Sequence, residues 1–279
     1  MPTTSYPLTN DQIAAYRSDG AIRLGRVFNP TEVTRLRQAV DEAMSRPGPF
    51  AQDFSAGDGG GFFADLFIWN RVSRLREVIV CERIGEIAGR LMGARQVRLF
   101  FDHLLVKEPG SSEPTPWHQD APYWPIEGRQ CCSVWIALDR VTRENGLVEY
   151  VRGAHASGAL YAPKSFHGDN RLVDPDLQDL PDIEACRGDD SIVAWDLEPG
   201  DVAIHDFRTI HGAPGNRTAE RRRRGLAVRW IGEDIVCRNR PGVPAPLSES
   251  LKMLAPGLTD GEPLDQSTFP VVWEAAASQ

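Results

Sequence analysis

Apolar positions recur along this chain with one period as far as Gly93 and with another beyond it. In the first stretch they fall every three or four residues. Thr9-x-x-Gln12 has the form of a capping box and Gly20 that of a stop, which predicts a helix over 10–19. Asn29 followed by Pro30 predicts a second helix, with Val33, Leu36, Val40 and Met44 on one face and its end before Pro47. Leu75, Val78, Cys81, Ile84, Ile87 and Leu91 predict a third over 72–92, closing at Gly93. Between these, 48–65 reads as a mobile loop. Gly57, Gly59, Gly60 and Gly61 are not followed by the Gly-Lys-Ser/Thr of a phosphate cradle, and Phe62, Phe63 and Phe67 are left either to cover a pocket or to join the core.

Beyond Gly93 the runs shorten and fill with Val, Ile, Leu and aromatic residues, punctuated by glycine and proline. Segments 97–107, 130–139, 147–151, 191–195, 201–207 and 222–231 read as strands of an antiparallel sandwich or barrel. Three helices followed by many strands predict an α+β fold in which the helices brace a sheet. No repeat of fixed period interrupts it.

Composition adds mainly exclusions. Of 279 residues, 41% are apolar and 25% charged, enough for a packed core and typical of a globular chain. A formal net charge of −8 disfavours nucleic acid and anionic membranes as partners. The run Arg221-Arg222-Arg223-Arg224 lacks the wider basic field and interleaved aromatics of a nucleic-acid surface. Five cysteines without a Cys-x-x-Cys pair form neither a disulfide framework nor a zinc knuckle. Met1 to Asn10 carry no secretory pattern and no run approaches membrane-spanning length, so the expectation is a soluble cytoplasmic protein.

The candidate chemistry sits in Pro116-Trp117-His118-Gln119-Asp120. An imidazole and a carboxylate two residues apart on an extended backbone turn toward one cation, the spacing of a 2-His-1-carboxylate iron site. His211, in Asp206-Phe207-Arg208-Thr209-Ile210-His211-Gly212, is the candidate for the second histidine. His205 and His103 read instead as hydrogen-bonded interior or pocket histidines, His155 as structural and His167 as a surface residue. A zinc or manganese cupin-like hydrolase or isomerase would also employ two histidines and a carboxylate, and in a non-catalytic jelly-roll binding module at least one of His118, Asp120 and His211 would be dispensable.

Five motifs in order carry more than any one of them. Trp117-His118-Gln119-Asp120, Glu144-Asn145-Gly146, Arg152-Gly153-Ala154-His155, Pro199-Gly200-Asp201 and His211-Gly212 with Asn216-Arg217 resemble the phytanoyl-CoA dioxygenase family of iron(II)- and 2-oxoglutarate-dependent oxygenases, over residues 8–232. The resemblance implies a double-stranded β-helix, or jelly roll, as one domain: a helical part over 8–93, a core over 96–232 and a tail over 233–279 that either docks on the body or meets a partner. It also implies iron(II) on His118, Asp120 and His211, with 2-oxoglutarate and O2 as cosubstrates and hydroxylation of an unactivated C–H bond as the reaction. Desaturation and ring formation share the oxidant. Asp120 speaks against halogenating relatives, which carry a small residue there.

The same resemblance assigns the cosubstrate pocket. Counting eleven residues from His211 gives Arg222 as the anchor of the far carboxylate, whereas aligning the following strand on Gly225-Leu226 and Arg229-Trp230 gives Arg223. Strand alternation puts the two on opposite faces, so one points inward, and register within a sheet favours Arg223. Lys107 resembles a basic contact to 2-oxoglutarate, or is an exposed strand-end lysine; Trp135 resembles a wall of the same pocket, or is plain core. Ala213 stands where many relatives carry serine, removing one hydroxyl donor. For the substrate, Arg98 and Phe100 alternate with Asp102 on the strand entering the site, and Tyr123 and Trp124 follow the ligands, so these four are candidate contacts at the mouth of the barrel.

Overall fold

In the computed structural model, which describes residues 5–55, 60–163, 177–188, 191–240, 245–265 and 267–276, Thr9 and Gln12 close their capping box on α1 (Asn10–Asp19). Gly20 ends that helix at φ 78°, where an added Cβ would also strike His155 and Thr209. A short strand that the sequence reading missed, β1 (Ala21–Leu24), follows at once. Asn29 caps α2 (Pro30–Ser45), whose Val33, Leu36 and Val40 are buried.

Two expectations need correction here. Part of the supposed loop is a hairpin, β2 (Gln52–Asp53) and β3 (Phe62–Leu66), and β3 pairs along its length with a later strand. Phe62 and Phe67 are buried against that sheet and do not form a lid; Gly57 and Gly59 lie outside the described residues. The third helix is two, α3 (Ser73–Ile79) and α4 (Glu82–Met92), because Val80 and Cys81 leave helical conformation. The β-branched run Val78-Ile79-Val80 is poorly suited to continuing a helix.

The strands follow as β4 (Gln96–Lys107), β5 (Thr115–His118), β6 (Ile126–Glu127), β7 (Cys131–Ala137), β8 (Glu149–Val151), β9 (Ile192–Ala194) and β10 (Val202–Asp206). Then come β11 (His211–Ala213), β12 (Arg223–Ile231), β13 (Val236–Cys237), the helix α5 (Ala245–Leu254) and β14 (Val271–Glu274). The larger sheet runs β1-β10-β7-β12-β4-β3-β2, with β14 on the first residues of β4; the smaller runs β5-β11-β8-β9. All these pairings are antiparallel. The result is an α+β jelly roll. Trp273 of β14 lies against Gly85 and Gly89 of α4, at positions where any Cβ would collide with it.

The helices cover one face of the larger sheet. Leu36, Val40, Leu75, Ile84 and Leu91 meet Leu99, Leu104, Val134, Ile204 and Leu226 in one buried cluster. Leu36→Ala leaves a hole there that the rigid sheet cannot close, and is expected to cost about 2–5 kcal/mol, read as a lower urea midpoint at unchanged slope. The other face of the sheet looks toward β5 and β11.

A bulge decides which residues look that way. Arg229 pairs with Phe101 but Trp230 pairs with Leu99, so Phe100 is the extra residue and alternation reverses across it. Leu99 and Leu104 therefore share the helix-covered face. Beyond the bulge the inward residues of β4 are Phe101, His103, Leu105 and Lys107, opposite Arg229, Ala227, Gly225 and Arg223. Asp102, expected to alternate inward with Arg98 and Phe100, faces the other way and accepts from Ile68 N and Trp69 N.

Candidate active site

His118 and His211 are direct partners across the β5–β11 ladder, which sets their rings 4.2 Å apart between centroids. Each ring is fixed by its own backbone: His118 Nδ1 lies 2.8 Å from Pro116 O and His211 Nδ1 2.9 Å from Thr209 O. A carbonyl takes a proton, so both rings carry it on Nδ1 and present Nε2 as donor atom. Asp120 follows the end of β5. Its loop is held because Ala121 N donates to Phe207 O and the Gln119 amide donates to Ala159 O and Arg208 O. One ligand atom from each of His118, Asp120 and His211 falls within 4.8 Å of the others. Three such atoms on one side of a point suit an octahedral divalent cation with open positions opposite.

His205, from β10 on the opposing sheet, supports this group without joining it. Its Nε2 lies 3.3 Å from Asp120 Oδ2 and its ring 4.3 Å from that of His211. It is the interior, hydrogen-bonded histidine that its place in the chain suggested. Burial lowers His118 to about 3 and His211 to about 4. Burial alone would raise Asp120, but the His205 hydrogen bond and the Arg229 charge outweigh it and hold the carboxyl well below its usual range. The set is thus two neutral imidazoles and one carboxylate, ready for a cation without losing protons.

These values carry a stability consequence. His118, His211 and His103, the last lowered to about 3 by burial, titrate near 6.5 once unfolded. Between those values the unfolded chain binds more protons, so stability is full above about pH 6.5 and falls on acidification. Metal-free protein is expected to lose on the order of several kcal/mol between pH 7 and 5 by urea titration.

At the far end of the same inner face, Arg223 pairs with Lys107 in register, and both are buried. Burial lowers Arg223 to about 10 and Lys107 well below its ordinary value. The Lys107 ammonium donates to Pro214 O, and the Arg223 guanidinium lies 5.5 Å from the Trp135 ring with its Nε unpartnered. No carboxylate among the described residues forms an ion pair with either. Two adjacent buried cations without a counter-charge are costly unless an anion joins them. Gly225 makes room for the Trp135 ring beside them, since a Cβ there would sit 2.0 Å from it. Arg222 points outward to Glu108, while Arg221 and Arg224 pair with Glu144 and Asp139, which also disperses the basic run.

The four proposed substrate contacts separate. Tyr123 lies edge-on to His118 at 5.6 Å. Trp124 and Phe100 are buried in an aromatic cluster with Phe101, Phe207 and Phe269. Arg98 donates to Phe269 O and to the Gln96 side chain, fastening the C-terminal segment. His155 sits against Arg17 O, and His167 lies outside the described residues. Sequence reasoning missed one residue altogether as a site group: Arg229, buried on the inner face, its guanidinium 5.2 Å from Phe101 and 5.6 Å from Trp124. The only signal was its strand parity with Arg223.

Comparison with known proteins agrees with this geometry. A family model described as phytanoyl-CoA dioxygenase (PhyH) matches residues 16–225. A methylphosphonate hydroxylase of Gimesia maris is 27% identical over 274 residues, covering 93% of this chain and 98% of its own. An ectoine dioxygenase of Sphingopyxis alaskensis is 24% identical over 230 residues, covering 77% and 74%. Among solved structures, SnoK, a non-haem alpha-ketoglutarate-dependent carbocyclase from nogalamycin biosynthesis, superposes with a TM-score of 0.75 at 29% identity, over 98% of this chain and 99% of its own.

Proposed function

The chain belongs to the phytanoyl-CoA dioxygenase family, and we propose from that premise that His118, Asp120 and His211 hold its iron(II) while Arg223, with Lys107, anchors the far carboxylate of 2-oxoglutarate. The protein is a non-haem iron enzyme, a 2-oxoglutarate-dependent dioxygenase. With both groups bound, O2 is spent on decarboxylating 2-oxoglutarate to succinate and on oxidising a C–H bond, and our reading of that oxidation is hydroxylation of a small organic molecule.

The observation that carries the residue assignment is the uncompensated pair Arg223 and Lys107. A dianion whose second charge enters a dry pocket needs a fixed donor there, and the planar guanidinium presents two parallel N–H groups where an ammonium presents a point charge. Trp135, packed on Gly225, forms a wall beside that anchor. His205 holds the outer oxygen of Asp120, and Pro116 and Thr209 hold the ring protons, so the three ligands keep their aim before any cation arrives. Burial of His211 and Asp120 excludes bulk water from one side of the centre.

The same reading treats 1–279 as one catalytic unit whose C-terminal strand on β4 belongs to the fold. No helix among the described residues is long and apolar enough to cross a membrane; all five cysteines are free, and on that ground we place the protein in a reducing, cytoplasmic setting. The names of the relatives point to methylphosphonate and to ectoine, substrates of different chemistry, and do not choose between them for this chain. The test is succinate release with iron(II), 2-oxoglutarate and O2 against a panel of small metabolites. A substrate that raises succinate in step with a product heavier by one oxygen supports hydroxylation; succinate in step with a product two hydrogens lighter overturns it in favour of desaturation or ring closure.

A further inference from the structure

Counting along the inner face of the larger sheet separates two cationic ends. Lys107 and Arg223 mark one, and Arg229 marks the other, about 20 Å away along β12 at a strand's rise per residue. The row through Arg229 is unusual in composition. Phe101 of β4, Arg229 of β12, Ser133 of β7 and His205 of β10 are successive partners across four strands. Of these, Ser133 Oγ, His205 Nδ1 and Arg229 Nε are buried without a hydrogen-bond partner among the described residues.

The guanidinium of Arg229 is held rather than neutralised. Its plane lies near the rings of Phe101 and Trp124, and Nη1 donates 2.9 Å to Ala227 O, turning the group toward the centre of the face. The nearest acidic influence is Asp120, yet no ion pair joins them, and Asp120 already gives its outer oxygen to His205. Asp102 is committed to Ile68 N and Trp69 N on the other side of the sheet. A buried arginine, its Nε unpaired and its cross-strand partner Ser133 carrying an unpaired hydroxyl, is a donor set for an oxyanion. Phe101, Trp124 and Phe207 close this corner of the face with apolar rings, which keeps the guanidinium away from bulk water.

We propose that Arg229, assisted by Ser133, is the substrate-recognising group of this centre, and that the molecule oxidised carries a carboxylate, phosphate or phosphonate group. The inference rests on the iron and 2-oxoglutarate reading above, because it places the substrate on the side of the triad away from the Arg223 anchor. Binding there by an acid sets its neighbouring carbon, and not the acidic group, toward the metal ligands, since the oxyanion is retained on Arg229. An uncharged analogue leaves the guanidinium desolvated and unmatched, which is how the site discriminates.

The experiment uses the full chain loaded anaerobically with iron(II) and 2-oxoglutarate, followed through the weak visible band of the chelated cosubstrate. Acetate and phosphate are titrated as probes at constant ionic strength, with acetamide as the uncharged control. In the wild-type protein either anion perturbs the band at low millimolar concentration and acetamide does not. In Arg229→Gln, brought to its own full band with iron(II) and 2-oxoglutarate, at least about tenfold more anion is required, the loss of one charge-assisted contact; Arg229→Lys recovers part of the response. No perturbation by either anion up to tens of millimolar, equal perturbation by acetamide, or an unchanged response in Arg229→Gln overturns the proposal and leaves Arg229 as a counter-charge for Asp120. Loss of the band itself in Arg229→Gln also overturns it, by assigning the residue to the cosubstrate. If the wild-type protein gives no band, the iron reading has failed on its own, and anion stabilisation of the metal-free chain, present in wild type and missing in Arg229→Gln, then decides the inference.

Discussion

His118→Ala and His211→Ala are expected to fold and to retain no iron(II) after gel filtration, where the wild-type protein keeps about one per chain, the occupancy a single three-ligand site allows. Removing an outer partner of a metal ligand already costs about 10–100-fold in metal affinity, so removing a ligand should cost at least about 100-fold. His205→Ala gives the internal scale. It leaves all three ligands in place and frees the outer oxygen of Asp120, so its loss belongs within that 10–100-fold range. Both alanine variants at the ligand positions also relieve a buried imidazole of its acid liability, so their metal-free stability at pH 5 should not fall below that of wild type. A variant that loses iron because it has unfolded fails that control and is recognised by it.

Arg223→Gln should give the second largest effect, and on a different quantity. Iron is retained, but 2-oxoglutarate binds more weakly by about 2–5 kcal/mol, roughly 30- to several-thousand-fold, because a buried charge loses its bidentate partner. Arg222→Gln is the matched control. It breaks only a half-exposed pair with Glu108, worth at most about 1 kcal/mol to stability, and should leave the KM for 2-oxoglutarate unchanged. Lys107→Met is expected between the two, since the ammonium shares the pocket but already has Pro214 O as acceptor. A large rise in KM in Arg222→Gln, with none in Arg223→Gln, would reverse the assignment.

What the sequence shows directly is whatever depends on local spacing. The caps at Thr9 and Asn29 and the pair His118 and Asp120 lie within a few residues of one another, so their geometry follows from backbone period alone. His211 is legible only through the order of motifs, because its meeting with His118 depends on β11 lying beside β5, ninety-odd residues apart in sequence. Arg223 over Arg222 follows from strand parity, a period-two argument that holds while the ladder is regular. It fails at Phe100. One bulged residue reverses the face of everything before it on β4, and nothing in Leu99-Phe100-Phe101-Asp102 announces where the extra residue sits. Asp102 therefore lies on the face opposite to the one unbroken alternation predicts, and the row of Arg229, Ser133 and His205 does not show in the sequence. The hairpin of β2 and β3 was hidden for another reason: the glycines between the strands dilute the alternation of Phe62 to Leu66. The break at Val80 and Cys81 was masked because the apolar positions keep helical spacing straight through it.

The claim that two imidazoles, one carboxylate and a distant arginine together form one cation and keto-acid site is tested most directly by anaerobic titration of the wild-type protein with iron(II) and then 2-oxoglutarate. The expected result is a weak visible band that appears only when both are present, saturates at about one equivalent of iron, and is absent in His118→Ala and His211→Ala. A wild-type protein that binds iron without developing the band, or a band that persists in either alanine variant, would contradict it.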